Sequence, residues 1–404
     1  MKDEKKAPKL RFKGFTDDWE QCKLKNKAEI VRGASPRPIS NPKWFDDNSN
    51  VGWLRISDVT EQKGRIHHLS QRISKAGQSK TRVITEPHLL LSIAATVGSP
   101  VINYVNTGVH DGFLIFLNPT FDKEFMFQWL LMFKPYWNKY GQPGSQVNLN
   151  SDIVGNQSVA FPTTSEQERI GSFFRKLDRT ITLHEEKKRQ LERLKSALLQ
   201  KMFADKSGYP DIRFEGFSDE WEQCKLGDVC EPITDSIDTQ KYPNEVFAEY
   251  SMPAFDASMK PDIVLGSSMN SVRKIITRPC LLVNKLNVRK KRIWYVKKPN
   301  KNAVCSAEFI PLRSDTVDLT FLNQVAKSET FTRYLENHSS GSSNSQKRIT
   351  PRSLMLSKLH IPTIEEQKLI GKIFEYLDHT ITLHDQKLNL LKLVKQSLLQ
   401  NMFI

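Results

Sequence analysis

The sequence predicts an α+β fold in which two pseudo-symmetric α/β domains are joined by a pair of long antiparallel coiled-coil helices. Two repeats and one contrast support this prediction. The segment LRFKGFTDDWEQCKL at 10–24 returns as IRFEGFSDEWEQCKL at 212–226, and the segment 161–203 returns at 361–403, whereas the stretches between them differ widely. A period near 200 residues is too long for a solenoid, so it indicates tandem duplication of a domain-sized unit.

The first repeated segment is expected to lead into each domain. It predicts a solvent-facing approach, then an aromatic cluster, then the first strand. The aromatic residues of this cluster are Phe12, Phe15 and Trp19 in the first half, and Phe214, Phe217 and Trp221 in the second.

The blocks that differ between the halves are predicted to be mixed and rich in strands. Short runs of β-branched and aromatic residues bounded by Gly, Pro and Asn are typical of strands: VGWLRISDV, LLLSIAATVG, GVHDGFLIFL, CLLVNKLNV and RIWYVKK. Residues 123–140 and 319–338 are predicted to be amphipathic helices at corresponding places, each followed by a polar turn.

The second repeated segment predicts a long helix in each half. Thr163 and Glu166 have capping-box spacing, as do their counterparts Thr363 and Glu366. A helix over residues 178–203 would be about 39 Å long, although polar residues around His184 and Lys188 are expected to loosen or interrupt it.

Because two near-identical apolar stripes occur in one chain, each is expected to pack on the other. The residues predicted to pack are Ile170, Phe174, Leu177, Ile181, Leu191, Leu198, Ile370, Phe374, Leu377, Ile381, Leu391 and Leu398. The predicted boundaries place the domains at 1–162 and 205–362, and the helical regions at 163–204 and 363–404.

The distribution of charge predicts a polyanionic partner. The 404 residues include 60 Lys and Arg against 45 Asp and Glu, a formal net charge of +15. Residues 62–85 and 263–307 contain cations and no acidic residue, whereas an ordinary solvated face mixes both signs. Such windows are typical of a surface that meets nucleic acid. The repeated helices mix both signs, as a protein-facing coil does.

The cysteines and the N-terminal residues indicate a cytoplasmic protein. The cysteines lack C-x-x-C spacing and are expected to be reduced thiols: Cys22, Cys224, Cys230, Cys280 and Cys305. The charged segment MKDEKKAPKL is not typical of a signal peptide. No apolar run approaches the roughly 20 residues that span a bilayer, so no membrane partner is expected.

The sequence offers no convincing catalytic or metal-binding motif. It has neither a phosphate-binding G-x-x-x-x-G-K-[ST] loop nor G-x-G-x-x-G. It also lacks the Asn-Pro-Pro-aromatic run that suits adenine methylation, and NPKWF at 41–45 is its nearest approach. A nuclease would need clustered carboxylates with a lysine nearby, but Glu185-Glu186-Lys187 is better explained by pairing on a helix surface. His67-His68, His184 and His384 are interpreted as structural or solvated. We predict no catalytic residue and no metal site.

On these residues the chain resembles the specificity subunit of a type I restriction–modification system. The family pattern P-x-x-x-E-Q-x-x-I before a long helix is matched by Pro162, Glu166, Gln167 and Ile170, and again by Pro362, Glu366, Gln367 and Ile370. The first block resembles one recognition-domain subtype through GASP (33–36), WLRISD (53–58) and SIAATVGS (92–99). The second resembles another through SMPAFD (251–256), NKLNVRKKRIW (284–294) and CSAEF (305–309).

The resemblance implies a subunit without catalysis of its own, in which each target-recognition domain reads one half of a bipartite double-stranded DNA site. It implies two methyltransferase subunits, which use S-adenosylmethionine on adenine, and ATP-dependent restriction subunits that join through the complex. No cofactor is expected in this chain; S-adenosylmethionine, ATP and Mg²⁺ would belong to the partners. The helices would set the gap between half-sites, with the domains about one turn of B-DNA, roughly 34–36 Å, apart.

Other functions remain open at the level of sequence. A stand-alone DNA-binding or anti-restriction module of the same family would not need the complete helical repeats. An enzyme in one chain is disfavoured by the missing motifs, and a coiled-coil scaffold without a DNA role is disfavoured by the acid-free windows. A co-purifying partner with an Asn-Pro-Pro-aromatic motif would support the specificity subunit.

Candidate DNA contacts are polar or basic residues in the variable blocks, and the repeated lead-in is expected to carry no base specificity. Gln146 and Gln346 correspond across the repeat and precede the long helices. The candidates are Arg32, Ser35, Arg37, Lys43, Arg65, Gln146 and Asn148 in the first half, and Lys285, Asn287, Arg289, Lys290, Arg292, Gln346, Lys347 and Arg348 in the second.

Overall fold

The computed structural model describes residues 7–140, 149–204, 207–343 and 346–403. The chain forms two compact units. Unit 1 consists of Met1–Glu185 with Gln386–Ile404, and unit 2 consists of Glu186–Asp385. Both divisions fall inside a long helix, whereas the predicted domain boundaries lie at the helix ends. Those boundaries therefore stay a prediction.

The first half of the chain alternates short strands with short helices before one long helix. Its strands are β1 (Glu20–Lys23), β2 (Glu29–Arg32), β3 (Gly52–Trp53), β4 (Arg65–Ile66), β5 (Arg82–Ile84), β6 (Leu89–Ser92), β7 (Pro100–Asn103), β8 (Thr107–Val109), β9 (Phe113–Leu117) and β10 (Ser158–Phe161). Its helices are α1 (Ile56–Glu61), α2 (Lys75–Gln78), α3 (Lys123–Phe133), α4 (Ser151–Gly155) and α5 (Thr164–Lys201).

The second half repeats this plan with differences in length. Its strands are β11 (Glu222–Lys225), β12 (Glu231–Pro232), β13 (Ser236–Ile237), β14 (Val246–Tyr250), β15 (Asp262–Leu265), β16 (Arg273–Ile275), β17 (Cys280–Asn284), β18 (Ile293–Val296), β19 (Ala303–Cys305), β20 (Phe309–Arg313) and β21 (Lys358–Ile361). Its helices are α6 (Leu226–Val229), α7 (Met252–Ser258), α8 (Leu319–Lys327), α9 (Glu329–Asn337), α10 (Pro351–Met355) and α11 (Ile364–Met402).

The strand order shows the same scaffold in both units. Unit 1 has a five-stranded sheet in the order β2-β9-β6-β7-β4, and unit 2 has a four-stranded sheet in the order β12-β20-β17-β18. The smaller sheet of unit 1, β3-β8-β5, is matched inside the larger sheet β13-β16-β19-β14-β15 of unit 2. In both, one neighbour of the middle strand is parallel, β3 to β8 and β14 to β19, and the other is antiparallel.

The predicted strands are confirmed, but one of the predicted runs changes into a helix. Within VGWLRISDV only Gly52–Trp53 is a strand, and helix α1 starts at Ile56. The cause is Asp58, whose carboxylate accepts a 2.8 Å hydrogen bond from the backbone N–H of Arg55. A carboxylate three residues into the segment thereby caps the first turn, which competes with extension of the strand.

The predicted amphipathic helices at 123–140 and 319–338 also exist, but each contains a change of geometry. The first is α-helical to Phe133 and then tightens into a 3₁₀ helix over Lys134–Tyr140. Pro135, which has no backbone N–H to donate, lies at that change. The second divides at Ser328, whose hydroxyl accepts from the N–H of Phe331 and caps helix α9.

The two long helices are continuous, so the expected interruption near His184 and Lys188 is wrong. Helix α5 has 38 residues and α11 has 39, or about 57 Å and 59 Å at 1.5 Å per residue. The prediction failed because polar residues were read as a break, although a helix interior tolerates them on its exposed face. Helix α5 also begins well before residue 178.

Each unit contains antiparallel segments of both long helices. In unit 1, Asp178 pairs with Lys395 at 2.6 Å and Glu185 pairs with Lys392 at 2.7 Å. In unit 2, Lys195 pairs with Asp378 and Lys188 pairs with Asp385. The predicted antiparallel pairing of the two long helices is therefore confirmed, and these ion pairs fix its direction.

The apolar residues at the helix ends complete the two cores crosswise. In unit 1, Phe174 of α5 packs with Phe403, which follows α11. In unit 2, Phe374 of α11 packs with Phe203, which follows α5. The predicted packing residues divide accordingly. Ile170, Phe174, Leu177 and Leu398 belong to the core of unit 1, and Ile370, Phe374, Leu377, Leu191 and Leu198 belong to that of unit 2; Ile181 is buried, while Ile381 and Leu391 are half-buried.

The repeated lead-in is attached to the start of each long helix by an arginine. Arg11 donates two 2.7 Å hydrogen bonds to the buried carboxylate of Glu166, and Arg213 does the same to Glu366 at 2.8 Å. These glutamates had been expected to complete capping boxes. Instead, Thr163 and Thr363 accept only long contacts from the helix, at 3.4 and 3.5 Å.

The expected aromatic cluster of the lead-in separates onto different partners. Trp19 is buried in the core of unit 1 against Phe125 and Phe403. Phe12 instead contacts Phe173 on the surface of helix α5. The lead-in of unit 1 therefore contacts both the core of that unit and the surface of helix α5.

Candidate nucleic-acid interface

Three of the candidates in unit 1 meet at one residue, Asp111. The Ser35 hydroxyl donates to Oδ1 of Asp111 at 2.6 Å, and Nη2 of Arg37 lies 2.7 Å from Oδ2. Nε of Arg32 donates to the backbone carbonyl of Asp111 at 2.6 Å. Strand β2 supplies Arg32 and the loop after it supplies the other two, whereas Asp111 lies between β8 and β9. The structure thus brings together residues that are about 75 positions apart.

The electrostatics of this cluster favour a charged Asp111. The hydrogen bond from Ser35 and the positive charge of Arg37 hold the pKa of the Asp111 carboxyl below its usual range. Arg37 itself is well exposed, with 73% of its side chain accessible. The cluster therefore presents an exposed guanidinium beside a fixed carboxylate.

Lys43 lies in a separate, exposed part of the same unit. It belongs to a 3₁₀ turn at Pro42–Trp44, and its ammonium group lies 4.3 Å from the centre of the Trp44 ring. Its backbone carbonyl accepts a hydrogen bond from Ser74 at the start of helix α2. The ammonium group remains accessible to a phosphate.

Arg65 is held in an internal ion-pair network. Its guanidinium contacts Glu124 at 2.8 Å and Asp178 at 3.2 Å, and it lies over the Phe127 ring. Burial opposes its charge, but the hydrogen bond and charge of Glu124 raise the pKa of Arg65. Only 17% of the side chain is accessible, so its proposed DNA contact is not retained. Its partners lie 59 and 113 residues away in sequence and could not be recognised from the local charge window.

Gln146 and Asn148 lie outside the described residues. The expected correspondence of Gln146 with Gln346 therefore stays a prediction.

The candidates in unit 2 form one continuous surface made from two segments. The loop between β17 and β18, residues 285–292, is joined by backbone hydrogen bonds to residues 346–349. The N–H of Asn287 donates to the carbonyl of Lys347 at 3.0 Å, and the N–H of Ile349 donates to the carbonyl of Lys285 at 3.0 Å. Leu286 and Arg348 form a β-bridge. Two candidate groups, separate in sequence, thus become neighbours.

The backbone of this loop is turned to display its cations. Asn287 and Lys291 both adopt the left-handed conformation, with φ of 51° and 45°, and they flank a 3₁₀ turn at Val288–Lys290. Left-handed backbone is uncommon for residues other than glycine, and Asn adopts it more readily than most. Val288 is buried, whereas Arg289 and Lys290 are exposed. The turn therefore anchors one apolar residue and points the next two residues outward.

Two of these cations pair with half-buried acidic residues. Arg289 lies 2.5 Å from Glu336, with 59% of the arginine side chain accessible, and Arg348 lies 2.8 Å from Glu308, with 52% accessible. More than half of each arginine side chain therefore remains open to a phosphate. Gln346 accepts a 2.7 Å hydrogen bond from Ser342 and is exposed.

Arg292 belongs to the scaffold and not to this surface. It donates two hydrogen bonds, at 2.8 and 2.6 Å, to Asp256 of helix α7, and its side chain is 8% accessible. The hydrogen bond to Arg292 lowers the pKa of Asp256. A contact from Arg292 to DNA is therefore not retained.

Sequence reasoning missed the acidic members of both clusters. Asp111 organises the candidates of unit 1, and Glu308 does the same for Lys285 and Arg348 in unit 2, where its backbone carbonyl accepts from Lys285 at 2.8 Å. It also missed Arg82, whose Nε donates to the carbonyl of Arg32 at 2.7 Å. The available signal was an acidic residue shortly before β9 and another directly before β20, and a pattern of cations alone does not include them.

The described residues contain no group of three or more His, Cys, Asp and Glu side chains placed to hold a metal ion. All five cysteines are free thiols, and burial raises the pKa of Cys230 and of Cys280 to about 12. Such thiols are protonated at neutral pH and are poor nucleophiles.

Among the described residues, none of the helices has the length and apolar character needed to cross a bilayer.

Comparison with known proteins gives a consistent result. The family model of the type I restriction modification DNA specificity domain matches residues 16–193 and 218–393. The type I restriction enzyme MjaVIII specificity subunit of Methanocaldococcus jannaschii is 23% identical over 215 residues, which are 49% of this chain and 48% of that protein. The matched region thus spans about half the length of this curated relative.

One solved structure shows the same fold. The crystal structure of the S subunit of a type I restriction-modification system from M. genitalium aligns with a TM-score of 0.66 at 13% identity, covering 98% of this chain and 99% of that one. The HsdS subunit from Thermoanaerobacter tengcongensis aligns over 95% of this chain and 96% of that one, with 17% identity and a TM-score of 0.42.

Proposed function

The chain belongs to the type I restriction modification DNA specificity family, and we propose that it is the DNA-recognition subunit of a restriction–modification complex. Each unit reads one half of a bipartite double-stranded site. The observation that carries this proposal is the basic surface of unit 2, where residues 285–292 and 346–349 are joined and display Arg289, Lys290 and Arg348.

The contrast between scaffold and loops supports reading by both units. The sheets have matching strand orders, whereas the residues on the candidate surfaces differ. Phosphate contacts position a protein on DNA, and contacts to base edges specify the sequence. Two similar scaffolds would place both units on the DNA backbone in the same way. Their different loops would let each unit recognise a different half-site.

The partners of this function are two methyltransferase subunits and, through the complex, restriction subunits. The chain contributes recognition only. Methyl transfer to adenine from S-adenosylmethionine, and DNA cleavage with ATP and Mg²⁺, would be supplied by the partners. The resemblance supports this division of labour, and the cytoplasm is where such a complex would meet DNA.

The direct test is sequencing of methylated bases in host DNA with and without the gene for this chain. We expect one bipartite motif to lose adenine methylation when the chain is removed and to regain it on complementation. Affinity purification of the tagged chain should recover a protein with an Asn-Pro-Pro-aromatic motif. A chain that purifies alone, with an unchanged methylome, would instead favour a stand-alone or anti-restriction module.

We also propose that the long helices set the gap between the half-sites. The helices α5 and α11 are continuous over 38 and 39 residues, so added residues lengthen a rigid element. Insertion of one heptad into each helix, at matched positions after Lys187 and Lys387, should lengthen the gap of the methylated motif while both half-sites stay the same. A motif with an unchanged gap would contradict this role.

A further inference from the structure

A fixed negative charge lies inside the proposed DNA-facing cluster of unit 1. The carboxylate of Asp111 is 35% accessible and receives Ser35 on one oxygen and Arg37 on the other. Because this carboxylate is ionised, it repels phosphates that approach Arg37. The charge of Asp111 therefore lowers affinity for DNA of any sequence. A contribution of Asp111 to DNA recognition must then come from contacts other than those to phosphate.

The carboxylate still has free acceptor positions. An ionised carboxylate has about four lone-pair positions, and Ser35 and Arg37 fill two of them. In the major groove, cytosine presents an N4 amino group that donates to a carboxylate, whereas guanine O6 and thymine O4 are acceptors that repel one. Adenine presents an N6 amino group beside the N7 acceptor, and N7 repels a carboxylate as well. Asp111 therefore has the chemistry to select cytosine.

The mounting of Asp111 is rigid, as a reading group requires. The preceding residue, His110, is half-buried between Trp53 and Phe113, with ring centres 5.8 and 4.8 Å away, and its Nδ1 accepts from the N–H of Gly112 at 2.9 Å. The loop that carries Ser35 is equally fixed, because a Cβ at Gly33 would lie 2.1 Å from the carbonyl oxygen of His110.

We infer that Asp111 is a specificity-determining residue of unit 1, whose carboxylate accepts a hydrogen bond from the exocyclic amino group of a cytosine in the half-site. Arg37 contacts the neighbouring phosphate and balances the charge. This inference rests on the proposed function and adds the chemistry of one recognised base. Unit 2 has Ala307 at the matched place, and the free carboxylate oxygen of the following Glu308 is buried, so the contact belongs to one half-site only.

The test is selection of bound duplexes from a randomised pool by the full-length chain, together with the methyltransferase that co-purifies with it. Three variants separate the possible roles. Asp111→Asn removes the negative charge and replaces one carboxylate oxygen with an NH₂ group, which donates hydrogen bonds. Arg37→Ala removes the phosphate contact and leaves the carboxylate. Asp152→Asn removes an exposed acid of helix α4 and controls for net charge.

For Asp111→Asn we expect a roughly tenfold loss of preference for cytosine at one position of one half-site, with all other positions unchanged. Arg37→Ala should weaken binding to all sequences alike, and Asp152→Asn should preserve the motif. The inference is overturned if Asp111→Asn keeps the wild-type motif, or if no cytosine is selected at any position that responds to Asp111. A wild-type complex that selects no motif at all would instead reject the proposed function.

Discussion

Unit 1 and unit 2 place the same loop on the same sheet but give it opposite chemistry. The loop between the central strand and its neighbour is IAATVGS at 93–99 in unit 1, without a charged residue, and KLNVRKKR at 285–292 in unit 2, with five cations. Both loops begin with the same anchor, a 2.8 Å hydrogen bond from Ile93 to the carbonyl of Gly112 and from Lys285 to that of Glu308.

The difference shows that one scaffold can carry its basic residues in different places. In unit 1 they lie at the end of β2 and in the loop after it, where Arg32 and Arg37 contact Asp111. In unit 2 they lie on the hairpin loop. The anchors belong to the backbone, so side chains could change without disturbing the sheet. We expect the two half-sites to differ as strongly as the loops do.

The largest expected effect tests the shared scaffold. Phe403 is buried against Trp19, Phe125 and Phe174, and Phe203 has matching neighbours but is half-buried. Phe403→Ala should destabilise unit 1 by about 3–5 kcal/mol, the usual cost of removing a buried ring. Phe203→Ala should destabilise unit 2 by less.

Hydrogen exchange measured by mass spectrometry locates these losses. Phe403→Ala should increase exchange in residues 89–92 and 113–130, far from the substituted position in sequence. Leu393→Ala, at a 65% exposed side chain of helix α11, should leave exchange unchanged. Faster exchange in unit 2 alone would contradict the crosswise completion of the cores.

The second-largest effect concerns Lys327, a lysine of unit 2 at a position where unit 1 has a leucine. Lys327 of α8 occupies the place held by Leu131 in α3, counted from the caps Asp318 and Asp122. Burial lowers the pKa of Lys327 to about 8, with a further lowering by Lys195 and an opposing effect of Asp378. Between pH 8 and pH 10.5 the unfolded chain therefore binds more protons at this site, so stability contributed by Lys327 rises with pH.

Lys327→Leu should consequently stabilise unit 2 at pH 7, by at most about 3 kcal/mol. The advantage should shrink as the pH increases from 8 to 10.5. Thermal unfolding of the wild type and the variant at several pH values measures the difference. A constant difference across this range would show that Lys327 keeps its charge in the folded state.

The smallest effect sharpens the contrast between the loops. Arg289→Ala with Lys290→Ala should lower the slope of log affinity against log salt by about 2, one for each phosphate contact. Arg32→Ala with Arg37→Ala should lower it by less, because Asp111 already offsets part of that charge. DNA-binding titrations from low to high salt provide both slopes. Equal reductions would mean that the two loops contact phosphates alike.

The duplication, the strand-rich blocks and the pairing of the long helices could be predicted from the sequence, because each produces a recognisable pattern of residues along the chain. It could not show which helix end completes which core. The segments ending in Phe203 and Phe403 have the same apolar residues at most matched positions, so either assignment satisfies their apolar pattern.

The candidate surfaces were predicted in part for a related reason. A window without acids identified Arg289 and Lys290 correctly as exposed cations. The same rule included Arg65 and Arg292, whose acidic partners Glu124 and Asp256 lie 59 and 36 residues away. Charge counted along the chain cannot distinguish an exposed cation from one that is neutralised by a distant segment.

The crosswise completion of the cores has a consequence for synthesis on the ribosome. Unit 2 uses residues 186–385, all of which have been made before residues 386–404, which unit 1 requires, are made. Unit 1, whose synthesis begins first, is therefore the last unit that can complete its fold. The apolar surface of unit 1 that residues 386–404 cover therefore stays exposed until synthesis is nearly complete. A chain released early would keep this surface exposed, and chaperones and proteases bind such surfaces.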